Sequence, residues 1–235
     1  MKARFSFDPA LLPFLEKLHR GAPFEYDCAR AATLKNAIEA LGVPHTEVGA
    51  LHVNGEPATL QRIVREGDYV EVETAKSGSD ADLRFAADAH LGGLARFLRM
   101  LGFDTLHRNA FSDDEIRRLA EAERRIVLTR DRELLKCREI ARGAYVRALK
   151  PEAQLREVAA RYEIAPLARP FTLCLSCNLP LQPVEPAVIA HRLPPAVYEL
   201  HQRFVRCPGC DGVFWPGSHY ERMLSALRSS LGWLR

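Results

Sequence analysis

Apolar and polar positions alternate in two different rhythms along this chain, and the places where the rhythm changes mark out three modules. KARFSF at 2–7 alternates as a half-buried strand does, LLPFLEKL has helical spacing, and PFEYDC gives a second strand. TLKNAIEALGV is an amphipathic helix pattern, with Thr33 placed to cap it and Gly42 to follow its last turn. ALHVNGEPA centres on Asn54-Gly55, a strong hairpin signal, and REGDYVEVET closes with Gly67-Asp68 leading into an alternating strand. Two strands, a helix and then hairpin-like strands predict a small β-grasp domain over residues 1–78. The KSGSD string after it is expected to be a short flexible linker.

From 83 to 168 short apolar runs alternate with helix patterns. RFAAD, FDTLHR, RRIVLT and AYVRAL read as strands. Between and after them HLGGLARFLRMLG, SDDEIRRLAEAE, DRELLKCREIA and PEAQLREVAARY read as helices. Leu91, Leu94, Leu98 and Leu101 share one face of the first helix, and Pro151 opens the last. A βαβαβαβα succession predicts an α/β core with a mostly parallel sheet. Residues 169–235 form a third module, in which PPAVYELHQRF is expected to be an amphipathic helix between two cysteine pairs.

Composition narrows the class without choosing it. An apolar fraction of 47% with 27% charged residues is that of a globular protein and excludes a disordered chain. No apolar run is long enough to span a bilayer, so no membrane partner is expected. MKARFSFDPA lacks an apolar signal core, which makes a cytoplasmic location the expectation. Residues 1–80 hold nine Lys and Arg against twelve Asp and Glu, whereas the rest holds 24 against 18, most of the bases being Arg. That excess suits forked contacts to phosphate oxygens or, equally, solvated helix faces.

Cys174, Cys177, Cys207 and Cys210 form two C-x-x-C pairs separated by 29 residues. Four thiolates at that spacing make a zinc ribbon with a closed, structural Zn²⁺ site. Three acidic strings hold the other candidate chemistry. Asp88 ends the RFAAD strand, Asp113 and Asp114 open a helix, and Asp131 follows a strand ending in Thr129. Strand carboxyl ends are where open α/β sheets bind ligands, and gathered carboxylates suit Mg²⁺ or Mn²⁺. The bland account of SDDE is a capping box between Ser112 and Glu115, and Asp131 could equally open the next helix. Arg96, Arg99, Arg130, Arg132 and Lys136 are candidates to neutralise an RNA backbone, with Arg96 and Arg99 on one helix face; Thr129 could orient a carboxylate or bind phosphate. Trp215 and His219, in FWPGSHY, offer stacking surface, or else Phe214 and Trp215 simply cover the ribbon, and Ser218 would open a helix able to receive phosphate.

LHVNGEPA with REGDYVEV resembles the ubiquitin-like sulfur carriers, but the chain runs on where a carrier ends in Gly-Gly, which leaves a protein-partner or RNA-facing role for this domain. FAADAHLGGLARFLRMLGFDTLHRN, SDDEI and IVLTRDREL together resemble the Mut-seven C-terminal ribonuclease family, which is PIN-like and carries a zinc ribbon. The resemblance implies a divalent-metal-dependent endoribonuclease with Asp88, Asp113 or Asp114, and Asp131 as ligands. The alternative is a non-catalytic protein that keeps the fold and binds structured or single-stranded RNA, such as tRNA. One departure is that only Glu133 and Glu139 follow Asp131, where many PIN nucleases have a further acid.

Overall fold

A computed structural model describes residues 1–75 and 82–232. The expected KSGSD linker at 76–80 lies outside the described residues.

In the N-terminal module, strands β1 (Lys2–Phe7), β2 (Phe24–Asp27), β3 (Val48–Val53), β4 (Glu56–Ala58) and β5 (Tyr69–Thr74) form one sheet ordered β2-β1-β5-β3-β4. Helix α1 (Leu34–Ala40) packs on it through Leu34, Ala37 and Ile38. The first and last strands, β1 and β5, are parallel at the centre, and the hairpin partners are antiparallel, as a β-grasp fold requires. Thr33 caps α1 by accepting the Asn36 N–H, and Asn54 and Gly55 both take positive φ, 55° and 85°, at the β3–β4 turn. Asp68 is buried and accepts from Arg62, Asn54 and the Arg65 N–H; the Arg62 hydrogen bond holds its carboxyl below the usual carboxylate range. LLPFLEKL does not make an α-helix. It forms two 3₁₀ turns, Leu12–Phe14 and Lys17–His19, because the backbone turns extended at Leu15 and Glu16. The apolar spacing still does its work, since Leu11, Phe14 and Leu15 are buried.

The central elements follow as β6 (Phe85–Ala87), α2 (Gly92–Met100), β7 (Thr105–Leu106), α3 (Asp113–Glu123), β8 (Ile126–Thr129), α4 (Arg132–Lys136), β9 (Gly143–Tyr145) and α5 (Pro151–Tyr162). β6 pairs in parallel with β7, and β8 in parallel with β9. The strands are shorter than their apolar runs, and α4 stops at Cys137, whose ψ of 137° is extended. All four leucines expected on one face of α2 and its exit are fully buried, each stabilising the fold by about 1.5–3 kcal/mol. Gly102 is required just beyond α2. Its φ is +87°, and a Cβ there would lie 2.2 Å from the Arg169 carbonyl oxygen, whose own N–H donates to Leu101.

The C-terminal elements are β10 (Gln182–Val184), α6 (Pro186–Ile189), α7 (Pro195–Leu200), β11 (Phe204–Arg206), β12 (Val213–Phe214) and α8 (Ser218–Leu231), with an antiparallel sheet ordered β10-β11-β12. The helix expected in PPAVYELHQRF is α7, but it buries no residue and so has no packed apolar face. Among the described residues no helix is long and apolar enough to cross a membrane.

Contacts divide the chain into two compact units, Met1–Gly78 with Phe111–Val146, and Ser79–Ala110 with Arg147–Arg235. In the first unit the β-grasp module is fixed to the β8–α4–β9 segment. Glu47, only 1% exposed, accepts the Tyr145 N–H at 2.8 Å, and His45 bridges Glu39 and the Ile140 carbonyl. Nothing in the alternation of apolar residues pointed to these polar links.

Candidate functional site

Four cysteine sulfurs make the metal centre. The Sγ atoms of Cys174, Cys177, Cys207 and Cys210 all lie within 4.8 Å of one another, and those of Cys174 and Cys210 are 3.7 Å apart. Tetrahedral zinc with bonds of about 2.3 Å holds its sulfurs at roughly this separation, so the donor set fits zinc and leaves no open position. Each pair sits in the same local turn. Asn178 and Asp211, the residues after Cys177 and Cys210, take φ of 61° and 60°, and their N–H groups donate to Cys174 and Cys207 carbonyls. Asn and Asp tolerate this left-handed geometry better than other side-chain-bearing residues, which explains C-x-x-C-N and C-x-x-C-D. Burial opposes ionisation of Cys207, but the N–H groups of Cys210 and Gly209 together with the Cys174 and Cys210 thiols hold its thiol down to about 7.

The first knuckle is anchored from within its own unit. Arg99 donates to the carbonyls of Thr105, Leu175 and Ser176, and Asn178 donates to Asp104 while accepting the Thr105 N–H. Arg99 is 7% exposed, and burial pushes its pKa down against the pull of Cys174, Asp104 and Cys177. The RNA-facing stripe expected of Arg96 and Arg99 is therefore not formed. Arg96 is exposed, but Arg99 turns inward because three carbonyls at β7 and the knuckle need a donor.

The carboxylates sit as follows. Asp88 comes directly after β6, every residue of which is buried, and its side chain does not cap the short turn Ala89–Leu91. Ser112 and Glu115 close the capping box of α3, which leaves Asp113 and Asp114 exposed in its first turn, Asp114 pairing with Arg117 at 3.1 Å. Asp131 follows the fully buried β8 and caps α4, its Oδ1 accepting the Glu133 N–H at 2.7 Å. Thr129 is fully buried, and its Oγ1 accepts the Asp131 N–H at 3.0 Å, so it shapes the Asp131 turn and is closed to phosphate. Within the first unit Asp113, Asp114 and Asp131 do not form a ligand group like that of the cysteines. Asp88 belongs to the other unit.

Among the remaining basic candidates, Arg130 is exposed, while Lys136 pairs with Glu133 at 2.7 Å. Arg132 is spent elsewhere. It donates to the carbonyls of Pro13 and Phe14, and its guanidinium lies 5.0 Å from the Phe14 ring centroid and 5.5 Å from that of Tyr145. It joins the β-grasp module to α4. Trp215 is half-buried beside Phe204, and His219 is exposed in the first turn of α8.

Two family models match the chain. The family model described as Mut7-C RNAse domain matches residues 83–227, and the one described as Mut7-C ubiquitin matches residues 1–79. No curated protein and no solved structure gives a match.

Proposed function

Because the chain belongs to the Mut7-C RNAse domain family, we propose that it binds RNA and hydrolyses RNA phosphodiester bonds with a divalent cation. The observation that carries this reading is the family match across 83–227, within which Asp88 and Asp131 each follow a fully buried strand. In this reading Asp88, Asp131 and Asp113 or Asp114 are the carboxylates available to Mg²⁺ or Mn²⁺, hard cations that take carboxylate oxygens. The ion would supply an activated water and offset charge on the leaving oxygen. Arg96 and Arg130, both exposed, are the bases offered to the RNA backbone, together with Trp215 and His219 in the ribbon. The cysteine centre holds structural zinc, and the β-grasp module serves as a rigid accessory or a protein-docking part.

A second reading, a non-catalytic RNA-binding protein, has its own support: Asp131 Oδ1 already caps α4. Cleavage of single-stranded and structured RNAs with Mn²⁺ separates the two. Wild type is expected to cut, and Asp88→Asn and Asp131→Asn to lose 10²-fold or more, on the order of what removing an electrostatic catalytic group costs. Equal activity in all three proteins, or none in any, would leave only the binding reading. Affinity that does not fall with salt would count against phosphate contacts altogether.

A further inference from the structure

Between the ribbon strands and the start of α8 lies a groove of about 510 Å³, lined by Phe171, Leu173, Val205, Trp215, Tyr220 and Met223 among others. That volume falls within the roughly 300–1,000 Å³ of small-ligand clefts. None of the three aromatic residues is fully buried, although each is placed with care. Phe171 has φ of +59°, a region uncommon for a bulky residue, and its N–H is tied to the Met100 carbonyl at 2.8 Å. Its ring lies 4.3 Å from that of Tyr220, centre to centre, tilted by 46°. Trp215 folds back over Gly217, where a Cβ would lie 2.7 Å from the indole Nε1.

Charge decides the kind of ligand. The groove lining includes Arg203 and His219 and no Asp or Glu. We propose that this groove takes an unstacked nucleobase of a single RNA strand, with the flanking phosphate turned toward Arg203. The inference rests on the RNA-binding reading above and deepens it, since it commits the ribbon to single strands. Bases inside a duplex keep their faces covered, whereas splayed bases stack on aromatic side chains. A protein segment is the other apolar occupant, but a basic rim without an acid favours a polyanion.

The test uses the zinc-loaded full chain, an oligouridine, an abasic strand of equal length and a duplex, each followed by fluorescence polarisation. Wild type is expected to bind oligouridine about 10-fold more tightly than the abasic strand, the factor that stacking one base supplies. Tyr220→Ala and Gly217→Ala, the latter displacing the indole, should bring the two strands to near parity. Should either variant shed zinc, Arg203→Glu at an exposed position decides: weaker binding of oligouridine supports the proposal, and unchanged binding overturns it. Equal binding of oligouridine and the abasic strand by wild type, or a preference for the duplex, would sink the base site while leaving RNA binding intact. If no strand binds, both readings fall.

Discussion

The two C-x-x-C knuckles share a backbone and differ in what holds them. Both place a left-handed residue after the second cysteine, and both return its N–H to the first cysteine's carbonyl. The first is bound to α2 and β7 by hydrogen bonds of a buried guanidinium and a half-buried amide. The second is bound by Asp211 to Arg192 and Arg206, all three substantially in solvent. Water and salt compete for the second set and hardly at all for the first, because a buried donor or acceptor that loses its partner bears its full desolvation cost. Side chains thus tie the first knuckle into α2 and β7, whereas the second, the turn between β11 and β12, has side-chain ties only through ion pairs in solvent.

Removing the metal is the harshest way to expose that difference. Zinc contributes on the order of 10 kcal/mol in small thiolate sites, so chelation is expected to open the ribbon. Hydrogen exchange should then rise first around 207–211, with the amides near 174–178 lagging. Simultaneous loss of protection at both knuckles would break the distinction.

Arg99→Met comes next. It keeps the apolar stem but strands three carbonyls, and about 3 kcal/mol of stability should be lost on that account. Thermal melting measures the loss, and zinc retention against a competing chelator should fall with it. A melting point within error of wild type would mean that the carbonyls find other partners and that Arg99 is not the anchor.

How this anchor escaped a sequence reading is instructive. Cysteine spacing discloses the zinc ligands because coordination geometry demands it, and the Asn54-Gly55 turn and the leucine face of α2 are equally local rules. Arg99 obeys no local rule. Its spacing from Arg96 suggests a surface stripe, yet two of its three partners, Leu175 and Ser176, stand 76 and 77 residues away. Arg132 misleads in the same way, since its carbonyl acceptors at Pro13 and Phe14 are remote in sequence. The sequence left Asp131 open as a helix cap or a metal ligand, and the structure shows the cap. Extended backbone at Leu15 and Glu16 broke up the helix expected in LLPFLEKL although its buried positions were readable.

The smallest effect gives the sharpest comparison, because one substitution can be made at equivalent points of both knuckles. Glycine accepts φ near +60° without penalty, so Asn178→Gly and Asp211→Gly both leave the turn at least as comfortable as before. What remains is the side chain. At Asn178 the change removes the bond to Asp104 and leaves the Thr105 N–H without its acceptor, which should cost about 1–2 kcal/mol despite the easier backbone. At Asp211 it removes ion pairs already in solvent, while Arg192 keeps its bond to the backbone carbonyl of that residue at 2.7 Å. The melting point is therefore expected to stay within error, and to do so at low and high salt alike. Equal destabilisation by the two glycines would show that exposed ion pairs hold the second knuckle as firmly as buried bonds hold the first.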